Sequence, residues 1–282
     1  MAMHTTSGNR SWLPEQAGQL VVQPVTQASV AIQAAGSVVT DSQVNGYRVP
    51  VWKADPTAAF VAEGEEIPVT DGQLAEAADT FHKLAGLTII SREMAADSNP
   101  DVAEQIGLGL ARDIARKLDA AIFGGRGADT LAPEGLADLT GTTTIDAGTA
   151  WTNTDPFSDA LYSAEQVGAQ LSAFVANPAD ARLLAKLKTQ TGSQLPLLGS
   201  DPTMPTRRQI VGVPMLTSPA VTAGTVWGIP AGRIVIAIRS DVELLRDESV
   251  FFTSDRVAIK ATMRVTSLFP HEAAIQKISL SS

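Results

Sequence analysis

The sequence has no cysteine among its 282 residues. Disulfides, thiolate metal sites and a cysteine nucleophile are excluded together. Histidine is nearly as scarce: His4, His82 and His271 are the only three. His271-Glu272-Ala273-Ala274-Ile275 begins like the helix of a zinc protease, but that motif needs a second histidine where Ile275 stands. The segment follows Pro270, in a strand context, and reads as a surface His–Glu pair. No G-x-S-x-G nucleophile elbow occurs. Gly124-Gly125-Arg126-Gly127 is glycine-rich but follows a helical pattern, whereas a phosphate cradle precedes one; it reads as a cap and loop. No catalytic, cofactor-binding or metal-ligating residue is expected.

Positive charge is also in short supply. Lys and Arg number 21 against 30 Asp and Glu, giving a formal charge of −9. An overall basic footprint for nucleic acid is missing, and an anionic membrane would repel the chain. Long apolar runs are missing too. The longest strongly apolar stretch is Ile234–Ile238, far below the roughly 20 residues of a membrane helix. The first twenty residues have no signal-peptide core. These features predict a soluble protein made in the cytoplasm. Aromatic residues are only 5% of the chain, yet hydrophobic residues reach 44%, carried by Ala, Val, Leu and Ile. A sizeable core is therefore possible, in one large domain or one with two lobes.

What is present is unevenly distributed. Residues 1–46 are rich in Ser, Thr, Gln and Gly, with short apolar bursts and no helical period, and read as a loose arm. Tyr47–Trp52 is strand-like, with Pro50 restricting it to an edge. The stretch "FVAEGEEIPV", residues 60–69, reads as a tight acidic turn between two extended runs, Ala59–Val61 and Ile67–Val69. Leu87–Ile90 is a compact strand candidate. A two-stranded ribbon of this kind is marginally stable at best alone in water, and nothing adjacent in sequence could cover it.

Asn99–Gly125 is the clearest element. Asn99 caps it, Pro100 suits the first position, and Val102, Ile106, Leu110, Ile114, Leu118 and Ile122 recur every four residues. At 1.5 Å per residue the rod spans roughly 36 Å. Arg112, Arg116 and Lys117 read as its wet face, with DNA contact as the alternative. A second helix is expected over Pro156–Phe174 and a third from Asn177-Pro178. Residues 189–208 form a Gly/Pro-rich loop. Ile234–Ile238 is a buried strand, and Val257–Thr266 alternates with period two, a half-buried strand. Ala274–Ile278 is expected to pair beside it. No repeat of 20–50 residues is present.

In this order the parts resemble the major capsid proteins of tailed bacteriophages with the HK97-type fold, over about residues 12–278. "SWLPEQAGQLVVQPV" is similar to the start of the N-terminal arm and "YRVPVWKADPTAAFVAEGEEIPVTD" to the extended loop. "LTIISREMAADSNPDVAEQIGLGLARDIARKLDAAIFGG" is similar to the strand, Ser-Arg-Glu step and spine helix. "FVANPADARLLAKLKTQTGSQLP" with "IVGVPMLTS" is similar to the axial domain.

The resemblance implies an α+β fold in five parts: an N-terminal arm (1–46), an extended β-hairpin loop (47–86), a peripheral domain with the spine helix (87–134), an axial domain (135–240) and return strands of the peripheral domain (241–282). It implies a structural protein without catalysis. Copies would assemble as pentamers and hexamers into an icosahedral shell enclosing double-stranded DNA, without sequence-specific binding or membrane contact. The protein would reside in the virion after assembly in the host cytoplasm. Trp52, Lys53, Phe60, Glu63, Glu65, Glu66, Arg92 and Glu93 are the expected contacts between subunits, with the acidic tip facing basic residues of a neighbour. Partners beyond further copies of itself would be a portal, a separate scaffolding protein or none, since the chain has no room for a helical scaffolding region at its start, and a cement protein or none. The rival readings are an encapsulin-like compartment shell, a tail or decoration protein, and an α+β enzyme without a recognisable motif.

In the founding member, a lysine of the extended loop bonds covalently to an asparagine of the peripheral domain. Here Lys53 is the only lysine within 47–70, and no asparagine follows Asn177. Assembled shells boiled in detergent should therefore run as single subunits on a denaturing gel. A ladder of linked species would show that a cross-link forms.

Overall fold

The computed structural model describes residues 29–35, 38–40, 46–54, 56–97, 102–126, 131–190, 193, 195–198 and 208–281. In chain order the elements are α1 (Val30–Ala35), β1 (Val38–Thr40), β2 (Gly46–Ala54), β3 (Gln73–Thr80), β4 (His82–Ser91), α2 (Arg92–Asp97) and α3 (Val102–Phe123). Then come β5 (Thr143–Asp146), α4 (Asp155–Gln166), β6 (Leu171–Ala176), α5 (Pro178–Ala185), β7 (Arg208–Ile210) and β8 (Val213–Thr217). The chain closes with β9 (Thr225–Pro230), β10 (Val235–Phe251), β11 (Arg256–Leu268) and β12 (Gln276–Ser279).

Two sheets carry the body. The first has the order β1-β10-β11-β4, antiparallel except for the β1–β10 pair. The odd-numbered residues of β11 from Val257 to Val265 are buried on the side of α3, while Lys260 and Arg264 face out, as the alternation of a strand requires. On α3 the four-residue row behaves as its spacing predicts. Ile114, Leu118 and Ile122 are buried, and Arg112, Arg116 and Lys117 are exposed. Gly86 of β4 lies under this helix, where an added Cβ would meet Leu110 Cδ2 at 3.0 Å. The expected Asn99-Pro100 cap lies outside the described residues.

The second sheet has the order β5-β12-β9-β6-β8-β7. Its core is Phe157, Ala160 and Ala164 of α4 against Leu171, Phe174, Met215, Val226 and Ile278. Phe157 sits edge-on to Phe174 with ring centroids 5.3 Å apart. Asp180, in the first turn of α5, is buried, accepts from Trp151 Nε1 at 3.0 Å and takes Gly224 N–H at 2.8 Å. Asn177 caps α5 by accepting from Ala179 N–H at 3.0 Å, as its Asn-Pro start predicts.

Three expectations need correction. The helix expected over Pro156–Phe174 ends at Gln166; Gly168 at φ +71° turns the chain, and Leu171–Ala176 emerge as β6. The apolar row had run a helix and a strand together. Ala274–Ile278 does not pair beside β11. Its strand, β12, joins the other sheet, antiparallel to β9 and parallel to β5. His271 and Glu272 are not a pair either: Glu272 accepts Gly141 N–H at 2.9 Å, and His271 Nδ1 is buried without a partner.

The arm holds the largest difference. Residues 29–35 are no loose chain: α1 packs where the two sheets meet, its Ala31, Ile32, Ala34 and Ala35 buried with Ile114 and Leu118 of α3, Val175, Ile229 and Ile236. One carboxylate holds it. Asp119 of α3, 5% exposed, accepts from Ser29 Oγ (2.7 Å), Val30 N–H (3.1 Å), Ala31 N–H (3.0 Å) and Ser218 Oγ (3.3 Å). It caps α1 from outside and ties it to the end of β8. Residues 1–28 lie outside the described residues.

Replacing Asp119 with Ala strands buried donors on two segments and should destabilise the subunit by about 2–4 kcal/mol. Asp119→Asn keeps an acceptor and should cost less. Chemical denaturation of the unassembled subunit measures both; equal stability in D119A and the wild type would show that the cap is dispensable.

Candidate assembly surfaces

Among the described residues β2 and β3 pair only with each other, from Gly46↔Thr80 at the base to Ala54↔Gln73 at the outer end. Beyond that end, residues 56–72 continue unpaired. Glu65 N–H bonds to Ala62 O at 3.2 Å, and Gly64, at φ +88°, supplies the positive φ that this turn needs. Thr70 Oγ1 donates to Thr57 O at 3.0 Å, keeping the two limbs together. The tight turn is therefore where the sequence predicts it. Of the paired strands, Tyr47–Trp52 is one as expected, within β2; its partner is not where expected, because Ala59–Val61 and Ile67–Val69 are unpaired while the Ala- and Glu-containing run Gln73–Thr80 completes the ladder.

The tip is uncovered: Phe60, Ile67 and Val69 are 110%, 74% and 92% exposed. Glu63, Glu65 and Glu66 are exposed beside them. Trp52 and Lys53 lie on the β2 backbone; their side chains lie outside the described residues. Arg92 and Glu93 are elsewhere. They open α2 at the end of β4 away from the ribbon, and Arg92 Nε lies 3.1 Å from Asp255 Oδ1. So the structure groups Phe60 with the three glutamates and separates Arg92 and Glu93 from them.

The ribbon is held at its base. Asp79, next to last in β3, accepts from Thr266 Oγ1 of β11 at 2.7 Å and lies 3.2 Å from His82 Nε2. His82 Nδ1 lies 2.8 Å from Leu131 O. Carboxylates crowd this hinge. Burial raises the Glu134 carboxyl above its ordinary value; Arg126 opposes that, and Glu272, Asp138 and Asp79 add to it.

The outer face of the first sheet holds a feature missed in the sequence. Register across β10, β11 and β4 gives three rungs: Ser240/Arg264/Lys83, Glu243/Thr262/Ala85 and Leu245/Lys260/Leu87. All of these but Ala85 and Leu87 line, together with Arg239, a groove of about 340 Å³. The alternation of Lys260, Thr262 and Arg264 was visible in the sequence, but Lys83 and Arg239 reach it only through strand pairing. Apolar Leu87, Leu245 and Ile89 are 62%, 42% and 41% exposed on the same sheet. No cluster able to hold a metal ion, and no helix long and apolar enough to cross a membrane, occurs among the described residues.

The profile of the phage capsid family matches residues 12–280. Among solved structures, the chain is similar to the capsid of an empty GTA particle, at 21% identity and TM-score 0.75 over 90% of each chain. It is similar to a chain of Mycobacterium phage Bobi at 16% identity and TM-score 0.72, over 90% of this chain and 91% of that one. A virus-like particle from Pyrococcus furiosus matches at 12% identity and TM-score 0.62, over 94% and 98%. No curated protein matches the chain. These likenesses show the HK97-like fold expected from the sequence.

A carboxyl whose folded pKa is raised binds protons more readily in the folded state, so its contribution falls as pH rises through the window between its ordinary and raised values. Glu134→Gln should accordingly raise the thermal midpoint near neutral pH, modestly because the residue is only partly desolvated and water screens most of it. The gain should vanish below the ordinary carboxylate range. A midpoint difference that does not change with pH would show that the crowding has no such effect.

Proposed function

The chain belongs to the phage capsid family, and on that premise we propose that it is the shell subunit of a phage or phage-like particle, closing as pentamers and hexamers around double-stranded DNA. The observation that carries this reading is the ribbon. Its tip is exposed, and among the described residues its two strands pair only with each other. Such a ribbon gains stability by lying on another copy, in an obligate interface that should bury upwards of ~2,000 Å². The family and the fold are structural, and the subunit acts by assembly and not by catalysis.

In this reading the first sheet, α3 and the ribbon form the peripheral part. The six-stranded sheet with α4 and α5 forms the axial part around the symmetry axes. β12 belongs with the axial sheet on its pairing, although it comes last in the chain. Trp52, Lys53, Phe60, Glu63, Glu65 and Glu66 face a neighbouring subunit, and Arg92 and Glu93 make a second contact near α2. Assembly takes place in the host cytoplasm, with a portal, with a separate scaffolding protein or none, and with or without a cement protein. DNA is enclosed without base recognition, because the acidic subunit offers it no general attraction. The likeness to a virus-like particle from Pyrococcus furiosus favours, as the second reading, a cellular compartment shell of the same fold.

Electron microscopy of the purified protein, produced alone and with its neighbouring genes, tests the proposal. Closed shells are expected in at least one of the two preparations, and closed shells from the chain alone would rule out an obligatory scaffold. A small monodisperse species under every condition would overturn it.

A further inference from the structure

We propose that His82 is a proton-operated clasp between the base of the ribbon and the segment that follows α3. It holds both when its ring carries two N–H groups and lets one go when the ring carries one. The clasp belongs to the single subunit and does not depend on the shell reading.

Each ring nitrogen faces an acceptor. Nδ1 lies 2.8 Å from the Leu131 carbonyl, which can only accept, so Nδ1 carries a hydrogen. Nε2 lies 3.2 Å from Asp79 Oδ2. That oxygen already accepts the Thr266 hydroxyl at 2.7 Å, and Asp79 Oδ1 takes the Thr80 N–H at 2.8 Å. The carboxylate acts as an acceptor throughout, so Nε2 donates as well. A histidine ring with two donors is an imidazolium. The His82 side chain is 15% exposed, so little water stands by to replace either partner. A neutral ring has one N–H. One acceptor would then face a nitrogen lone pair at hydrogen-bond distance, and that contact opens.

The position gives this contact leverage. Asp79 stands opposite Tyr47 of β2, one step from the Gly46↔Thr80 pair that begins the ribbon. Leu131 and Glu134 belong to the segment between α3 and β5, which Ser267 of β11 fastens by donating to Glu134 O at 2.8 Å. The surroundings favour a charged ring. Asp79 from the ribbon, Glu134 and Asp138 from the segment after α3, and Glu272 from the turn before β12 gather here, against Arg126. From β11, Val265 stands directly opposite His82. Lys83 and Arg264, the next pair along, point to the other face of the sheet. Arg48 of β2 lies 3.3 Å from Glu76, farther out on the ribbon. The Glu134 carboxyl is itself raised, first by burial, so it too favours the folded base in acid and must be separated from His82.

Hydrogen exchange of the full chain, read by mass spectrometry at about pH 5 and pH 8 and corrected for the intrinsic rate, tests this. An ordinary histidine loses its charge across that range. In the wild type, opening of the amides at the ribbon base and in residues 131–135 should rise about tenfold or more from the lower pH to the higher. Strand β6, far from the clasp in the other sheet, should change little. H82Q should be loose at both pH values and show no step. E134Q should keep the larger part of it. In the unassembled chain, labelled with nitrogen-15 at its three histidines, the ring signal missing from H82Q should show two N–H groups at pH 5 and one at pH 8. Equal opening of the wild-type base at both pH values would overturn the proposal, as would a His82 ring already neutral at pH 5. A step that survives in H82Q, or that E134Q abolishes, would assign the switch to Glu134 or another carboxylate and overturn it too.

Discussion

The carboxylate of Asp119 is the point on which the body of the subunit closes. It takes hydrogen bonds from residues about ninety positions before it and about a hundred after it. The three segments it joins are α1, the long helix and the end of β8, which meet between the two sheets. A buried carboxylate is costly unless its lone pairs are used, and here four donors use them. α1 has only six residues, too few to be a stable helix alone. It exists because its apolar side fills the junction and its N–H groups find Asp119. Part of what looks like an arm is thus a structural plug.

With the body closed in this way, the ribbon is the one described element with no layer against its outer length. Burying one large apolar side chain stabilises by about 1.5–3 kcal/mol, and the tip exposes three. A single contact of the tip with another copy must still offset lost rotational and translational freedom, so it would be weak by itself. In the proposed shell that balance would change, because every subunit would make several such contacts. The later contacts then form between parts already held together, at high effective concentration.

The sequence was most readable where one period ran without interruption. The four-residue row of α3 and the two-residue alternation of β11 appear in the structure as written, because each element packs one face on a core and leaves the other wet. It was least readable where a segment's structure is imposed by distant partners. Gln73–Thr80 has a polar, helix-compatible composition and becomes a strand only because β2 lies beside it. Leu171 and Phe174 continue the apolar row of α4 in phase, but the helix has already ended at Gln166, before the turn at Gly168. The same holds for the candidate surfaces. The acidic turn was legible as Glu-Gly-Glu-Glu, since Gly64 provides the positive φ. The basic groove was not, because Lys83, Arg239 and Arg264 are far apart in sequence and meet only through register.

The net charge of −9 looks like an obstacle to packing many copies into one shell, but it is the wrong quantity to weigh. At physiological salt, exposed charges more than about 8 Å apart scarcely feel each other. What neighbouring subunits experience is the charge at their points of contact, not the sum over each chain. Three of this subunit's carboxylates, Glu63, Glu65 and Glu66, stand where the chain reaches outward, and Lys83, Lys260 and Arg264 stand exposed on the outer face of the first sheet. An acidic protein can therefore attract its own copies, provided that its exposed acids meet exposed bases and not one another. That condition would give such a contact a direction, from the acids of one subunit to the bases of another. A head-to-tail contact of this kind closes into rings when the rotation between subunits permits it.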